Sequence, residues 1–435
     1  MNLIKNKTIE INSYIKKGNL KKAQLVLSPL IKRFPSEFTL LQLQVMIYLS
    51  QNDDINALKY MYKMVEIKEH ESIFNNIGNI EKKLGNLNKA IEYYKKALSL
   101  QDTNPNIYFN IANCYSALKQ KNEAITNYEK TLEIDDNYYN AHNNLGLLYL
   151  NSSDFIKSEF HFCEALKLLK NFPEAILNLY FSYIFQEKIS EAVSLLSKAV
   201  EDNIINEKIL FYKTITSSYE MDTKILDDIL LSLNKNQNLF IWLSEWKYLF
   251  SKKSSDFSIT RTFNENFSFA IKQASKNGLF LEFGVGSGFT ANIISSQIET
   301  DLHGFDCFEG IPEEWNNHPA GSFSTNGELP LVNSNVKLYK GYFDKTFPDF
   351  CNNLKETISF MHIDCDLFSS TKSIFDFFGN NINEGTVILF DELIGYDGFE
   401  DHELKAFKDF ININNLEFEC LGLNYLSGQA IIRII

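Results

Sequence analysis

The sequence predicts two domains of different class: an all-α superhelix of stacked helix pairs, followed by a mostly parallel, doubly wound α/β sheet. Three observations carry this. A period of 34 residues runs through the first half of the chain. Beyond about residue 255 the texture changes to short apolar runs that alternate with helical stretches. Two of those runs, "FMHID" and "TVILFD", end in acids where a strand should give way to a loop. With 435 residues there is chain enough for two separate cores.

The repeat is explicit. "GNLNKAIEYYKKALSL" (85–100) recurs as "KNEAITNYEKTLEI" (121–134), "DFIKSEFHFCEALKL" (154–168) and "KISEAVSLLSKAV" (188–200). Small residues align at Ala90, Ala124, Ser158 and Ala192, and again at Ala97, Thr131, Ala165 and Ala199, with Tyr94, Tyr128, Phe162 and Leu196 between them. Ala23 and Ala57 extend the series upstream, so about six units are expected over residues 1–206. The pattern resembles the tetratricopeptide repeat (TPR) family, with Gly78, Ala112 and Gly146 at the small first-helix position and Pro35 ending one unit. The small residues let helices approach while the aromatic fills the hole opposite. Such arrays bind protein partners or self-associate, and a lone residue of the stripe is read as core rather than as ligand contact. Residues 207–254 keep apolar helical spacing without the motif and are expected to be capping or linker helices.

From 255 to 435 the expected strands are "LFLEFG", "LHGFD", "VKLYKG", "ISFMHID" and "TVILFD". In doubly wound sheets, ligands sit beyond the carboxyl ends of the strands. The first such turn, "LEFGVGSGFT", carries Gly284, Gly286 and Gly288, which allow close backbone approach and a sharp entry into a helix. A dinucleotide fingerprint would need its third glycine at Phe289, which weakens a nicotinamide cofactor. Glu282 suits a cofactor with a cationic part, and Asp306, about twenty residues on at the next strand end, suits two ribose hydroxyls.

Taken together, "LEFGVGSGFT", "GFDCFEGIPEEW", "GYFDKTFPDF", "FMHIDCDLFSSTKSIFDFF" and "GTVILFDE" resemble the macrocin O-methyltransferase (TylF-type) family of class I methyltransferases, over most of residues 278–435. The resemblance implies a Rossmann-like sheet with a reversed final strand within "QAIIRII". It also implies S-adenosylmethionine at the first loop and a divalent metal, usually magnesium, that helps deprotonate a sugar hydroxyl. Asp364 and Asp391 end consecutive strands, about 5 Å apart if those strands are neighbours, and Glu392 adds a third hard oxygen ligand. The family's metal acids correspond to Asp364, Asp391 and Glu392. By resemblance Asp366 is the general base, with His402, in "EDHELKAF" at a helix start, as second choice. His362 lies inside a strand and is read as an interior residue. Tyr396, Trp315 and His318 lie on loops near the expected mouth.

Charge and cysteines narrow the classes. Residues 1–250 hold 29 basic and 29 acidic side chains, whereas 251–435 hold 13 and 26, so the net charge of -13 lies wholly in the second part. An acidic field disfavours nucleic acid. Six cysteines without ligand spacing predict reduced thiols and no zinc. No apolar run spans a bilayer and charges interrupt the N-terminus, so a cytoplasmic protein is expected. The expected activity is metal-assisted O-methyl transfer to a sugar or glycan hydroxyl, the array serving partner binding or self-association. Two alternatives stand beside it: a protein methyltransferase that captures its substrate through the repeats, and a scaffold whose second domain is not catalytic.

Overall fold

The computed structural model describes residues 2–204, 206–218, 224–234, 237–260, 263–315, 318–352, 354–396, 398–424 and 428–435. The chain divides into two compact units, Met1–Ser182 and Tyr183–Ile435.

The first unit is built only of helices, among them Glu71–Lys83, Leu87–Leu100, Pro105–Ala117, Lys121–Ile134, Tyr139–Leu150 and Phe155–Leu168. The small residues of the sequence period, Ala90, Ala97, Ala124, Thr131, Ser158 and Ala165, are all fully buried, as are Tyr94 and Phe162. The pairing is tight: a Cβ on Gly78 would lie 2.6 Å from the Tyr94 ring, and one on Gly146 would lie 2.7 Å from the Phe162 ring. Two successive repeats also satisfy their buried hydroxyl in the same way. Tyr94 Oη donates to Asn79 at 2.7 Å, and one period later Tyr128 Oη donates to Asn113 at 2.6 Å.

In the sequence the period runs on to residue 206, past the point where the units divide. Helix Ile189–Glu201, the second of the sixth repeat, packs on Glu207–Ser218, and that helix packs on Asn238–Ser251 through Phe211 and Trp242.

The sheet of the second unit has eight strands: β1 (Lys253–Thr260), β2 (Leu279–Phe283), β3 (Leu302–Asp306), β4 (Val336–Lys340), β5 (Ile358–Ile363), β6 (Val387–Phe390), β7 (Phe418–Asn424) and β8 (Ala430–Ile434). Their order is β1-β7-β8-β6-β5-β2-β3-β4. All neighbours are parallel except those of β8, the one reversed strand, which lies in the "QAIIRII" segment where it is expected. β2, β5 and β6 are continuously apolar but for Glu282, Ser359 and His362, as strands covered on both faces should be. β1 has no counterpart in the sequence reading. Its "KSSDFSIT" is polar, which suits the sheet edge it occupies beside β7.

The chain leaves β2 outward through β3 and β4, then returns to place β5 on the other side of β2. This reversal is the point where an open α/β sheet parts its loops and forms a crevice. Register decides what meets there. Phe283 pairs with Ile363, and Ile363 with Phe390, so Gly284, Asp364 and Asp391 follow one another across three adjacent strand ends. Asp364 N–H donates to Phe283 O and Asp391 N–H to Ile363 O, each at 2.9 Å.

Candidate active site

A cavity of about 450 Å³ opens at this crevice. One wall is the glycine turn with Asp306, through Gly284 and Gly286. Beside it the cavity is lined by Asp364, Asp366 and Glu392, and Trp315 and Phe323 contribute aromatic rings. Of the residues expected from the sequence, these six acids and glycines line the cavity. Glu282, Gly288, Asp391 and His402 are not among the lining residues.

The glycine turn shows why it must be glycine. Gly284 has φ +91°, and a Cβ there would lie 1.7 Å from the Asp364 carbonyl oxygen. Asp306, at the end of β3, holds the turn: one oxygen accepts from Gly286 N–H at 2.7 Å and the other from Phe308 N–H at 2.6 Å. It fixes the loop and still faces the cavity.

Glu282 and His362 face each other across β2 and β5 and are both fully buried. His362 Nδ1 is 3.1 Å from Glu282 Oε1, while Nε2 has no hydrogen-bond partner and faces Asp391 Oδ1 at 4.0 Å. Burial alone would depress the imidazole pKa, but the contacts with Asp391 and Glu282 and the nearby negative charges outweigh it and raise it. Asp391 also accepts from Gln429, which in turn accepts from Asn266, itself bonded by Thr260. This buried chain fixes the orientation of the Asp391 carboxylate.

The acids crowd one another. Burial and then the Asp391 charge push Asp366 up to about 6, and burial with Asp366 and Asp391 pushes Glu392 up to about 7. Asp364 is also raised, by burial and Asp391, with His362 opposing. Ligand atoms of His362, Asp364 and Asp391 lie within 4.8 Å of one another, so the trio that comes together contains His362 where the sequence suggests Glu392. The residues fit a divalent ion: there is surplus negative charge, and an orphaned buried imidazole nitrogen whose partner nitrogen is set by a carboxylate.

His402 sits at the entry of helix Glu403–Asn414, in ring contact with Tyr396 at 6.2 Å, and burial lowers its pKa. Its neighbour Glu403 escaped the sequence reading. It is 1% exposed, and its carboxylate accepts from Cys365 N–H at 3.3 Å and Asp366 N–H at 3.2 Å. The available signal was a helix-start acid in register with an apolar face: Glu403, Leu404, Phe407 and Phe410 are all buried.

Comparison with known proteins bears on each unit separately. Residues 69–137 match the tetratricopeptide repeat family, and residues 281–393 match a family of methyltransferase domains. The chain therefore holds a repeat region and a methyltransferase domain. No curated protein matches it. Solved structures similar to it include MamA, at 19% identity over 37% of this chain and 94% of that one, with a TM-score of 0.35. YrrB, described as a TPR protein with an unusual peptide-binding site, is 18% identical over 39% and 88%, with a TM-score of 0.36. PilW, a type IV pilus biogenesis factor, is 15% identical over 48% and 98%, with a TM-score of 0.41. Among the described residues no helix is long and apolar enough to cross a membrane.

Proposed function

We propose that the protein is an S-adenosylmethionine-dependent O-methyltransferase, assisted by a divalent metal, whose acceptor is a hydroxyl of a sugar or glycan. The observation that carries this reading is one cavity lined both by the glycine turn and by Asp364, Asp366 and Glu392, at the reversal of strand order. Gly284 and Gly286 would let the donor approach the backbone, and Asp306, held by the turn it braces, would receive the ribose hydroxyls. Gly288 shapes the entry to the following helix, and Glu282 acts from behind the turn through His362. The acceptor class follows from the resemblance of the sequence motifs.

Asp364 and Asp391, with Glu392 or His362, would hold the metal. Magnesium suits the carboxylates, and the imidazole widens the choice to manganese or iron. A bound ion lowers the pKa of a hydroxyl beside it. Asp366, raised to about 6, is mostly ionised at neutral pH yet basic enough to take the acceptor proton. His402 is the second candidate for that role. The domain walls supply alignment and exclusion of water, the larger part of catalysis in an in-line displacement. In this scheme residues 1–206 form a partner-binding or self-associating array, 207–254 cap it, and 255–435 carry out the transfer.

The test is transfer of labelled methyl from S-adenosylmethionine, in the full-length protein, to sugar, glycan and protein fractions of a lysate. Label in a sugar or glycan fraction, abolished by EDTA and by Asp366→Asn, is the expected result. Turnover indifferent to EDTA removes the metal from the scheme, and label only in protein removes the sugar acceptor.

A further inference from the structure

The turn that carries Asp366 is strained. Asp366 has φ +61°, and Leu367 N–H bonds back to Cys365 O at 2.6 Å, closing a three-residue turn of the rare positive-φ kind. A residue other than glycine pays for that conformation, so the surroundings must hold it. The chain following β5 accounts for its own donors: Leu367 N–H is used inside the turn, and Cys365 and Asp366 N–H point together, forming a small concave pair of amides. Concavities of this kind bind anions. Here the acceptor is internal, one carboxyl oxygen of Glu403.

An acid in the first turn of a helix has an ordinary explanation, the favourable interaction with the helix dipole. That explanation calls for a solvated carboxylate. Glu403 is instead removed from water, one oxygen spans two amides of a segment nearly forty residues earlier, and the other oxygen has no partner. Burying a carboxylate in this way is costly unless the bonds it makes matter to the fold around it.

We propose that Glu403 is the positioning residue of the Asp364–Asp366 turn, clamping the Cys365 and Asp366 amides so that the Asp366 carboxylate is presented to the cavity. The consequence for methyl transfer rests on the function proposed above; the clamp itself does not. Helix Glu403–Asn414 thereby fixes the catalytic turn from behind, and Glu403 itself does not line the cavity.

The experiment is hydrogen–deuterium exchange on the full-length protein, with fragmentation that resolves Cys365 to Leu367. Glu403→Ala removes the acceptor, and exchange at Cys365 and Asp366 should rise roughly tenfold or more, with the amides of β5 and β6 unchanged. Glu403→Gln keeps an acceptor without the charge, and the rise should be smaller, about a few-fold. If Glu403→Ala does not fold, Glu403→Gln decides alone. Asp366→Gly relieves the cost of positive φ, so Glu403→Ala should destabilise less in the Asp366→Gly background than in the native one. Unchanged exchange at the two amides, or a rise spread evenly over β5 and β6, overturns the clamp. Calorimetry with S-adenosylhomocysteine separates the two levels: a clamp seen in exchange without binding of this probe leaves the clamp standing and removes the methyl-transfer reading.

Discussion

The two units treat buried polar groups in opposite ways. In the repeat array the buried hydroxyls of the period all find partners, Tyr94 with Asn79, Tyr128 with Asn113, Thr131 with the Asn127 carbonyl and Ser158 with Ser182. Among the described residues, the buried ionisable side chains with an unpartnered atom all belong to the second unit, with Glu282, His362 and Glu403 among them at the strand ends. Beside them Asp364, Asp366 and Glu392 are raised by burial and by one another. Polar groups in the array serve packing, whereas the sheet end holds unrelieved charge that a proton or a cation can settle. Stability should therefore respond chiefly to volume in one unit, and to cations and to protonation of carboxylates in the other.

The largest effect should come from adding one methyl group where the obstacle is backbone. At Gly284 a Cβ meets the Asp364 carbonyl oxygen at 1.7 Å, and φ +91° is itself unfavourable for alanine. Neither strand can yield without losing the pairing that sets the site. Gly284→Ala is expected to cost roughly 4 kcal/mol or to prevent folding of the sheet. All three tryptophans, Trp242, Trp246 and Trp315, lie in the second unit, so denaturation followed by tryptophan fluorescence reads this directly. A midpoint equal to that of the native protein would show that the turn is not rigid.

The same substitution in the array sharpens the contrast. At Gly78 the obstacle is the Tyr94 ring at 2.6 Å, and at Gly146 the Phe162 ring at 2.7 Å. Contact at 2.6 Å obliges the Tyr94 ring to move, which a side chain does more cheaply than backbone, and alanine regains up to about 1 kcal/mol of helix propensity. Gly78→Ala should thus cost only about 1–2 kcal/mol by overpacking. It should lower the helical transition followed by circular dichroism while leaving the tryptophan transition in place. A larger loss than that of Gly284→Ala would reverse the comparison.

What could be read in the sequence follows the same division. The array was legible because its contacts are local and periodic: the residues aligned at 34-residue steps are the ones that pack. Strands β2 to β6 and the glycine turn were legible as short apolar runs, three of them ending in an acid, and β8 came from the family resemblance. β7 was not read, and neither was β1, because an edge strand needs no apolar face on its open side, and "KSSDFSIT" has the composition of a linker. Glu282 looked like a cavity residue because it precedes the glycines, but strand alternation turns it toward His362. The role of Glu403 depends on two segments far apart in the chain, and local sequence attracts the eye to His402 beside it.

The smallest effect concerns protons. Asp366 and Glu392 have folded-state pKa values raised to about 6 and about 7, so the folded protein holds protons that the unfolded chain would already have lost. For raised carboxylates the penalty is absent below the unfolded pKa and complete above the folded one. Stability should then fall as pH climbs from about 5 to 7.5. His362 acts in the same direction: its pKa is raised to about 10, so the stability it contributes is present below its unfolded value and is lost as pH rises. In EDTA, the tryptophan-monitored stability should be greater at pH 5.5 than at pH 7.5 by on the order of 1 kcal/mol, after allowing for partial solvation of the acids. Magnesium or manganese should remove most of this dependence, stabilising more at pH 7.5 than at pH 5.5, because at the lower pH protons compete for the same oxygens. The array, monitored by its helical signal, should show no magnesium response, and its pH response should have the opposite sign: burial lowers the pKa of the neighbouring His142 and His161, the latter to about 4, so stability there grows as pH rises from 5.5 to 7.5. Stability that rises with pH over this window in EDTA, or a metal effect equal at both pH values, would mean that the strand-end acids are solvated like any others and that the contrast between the two units is one of packing alone.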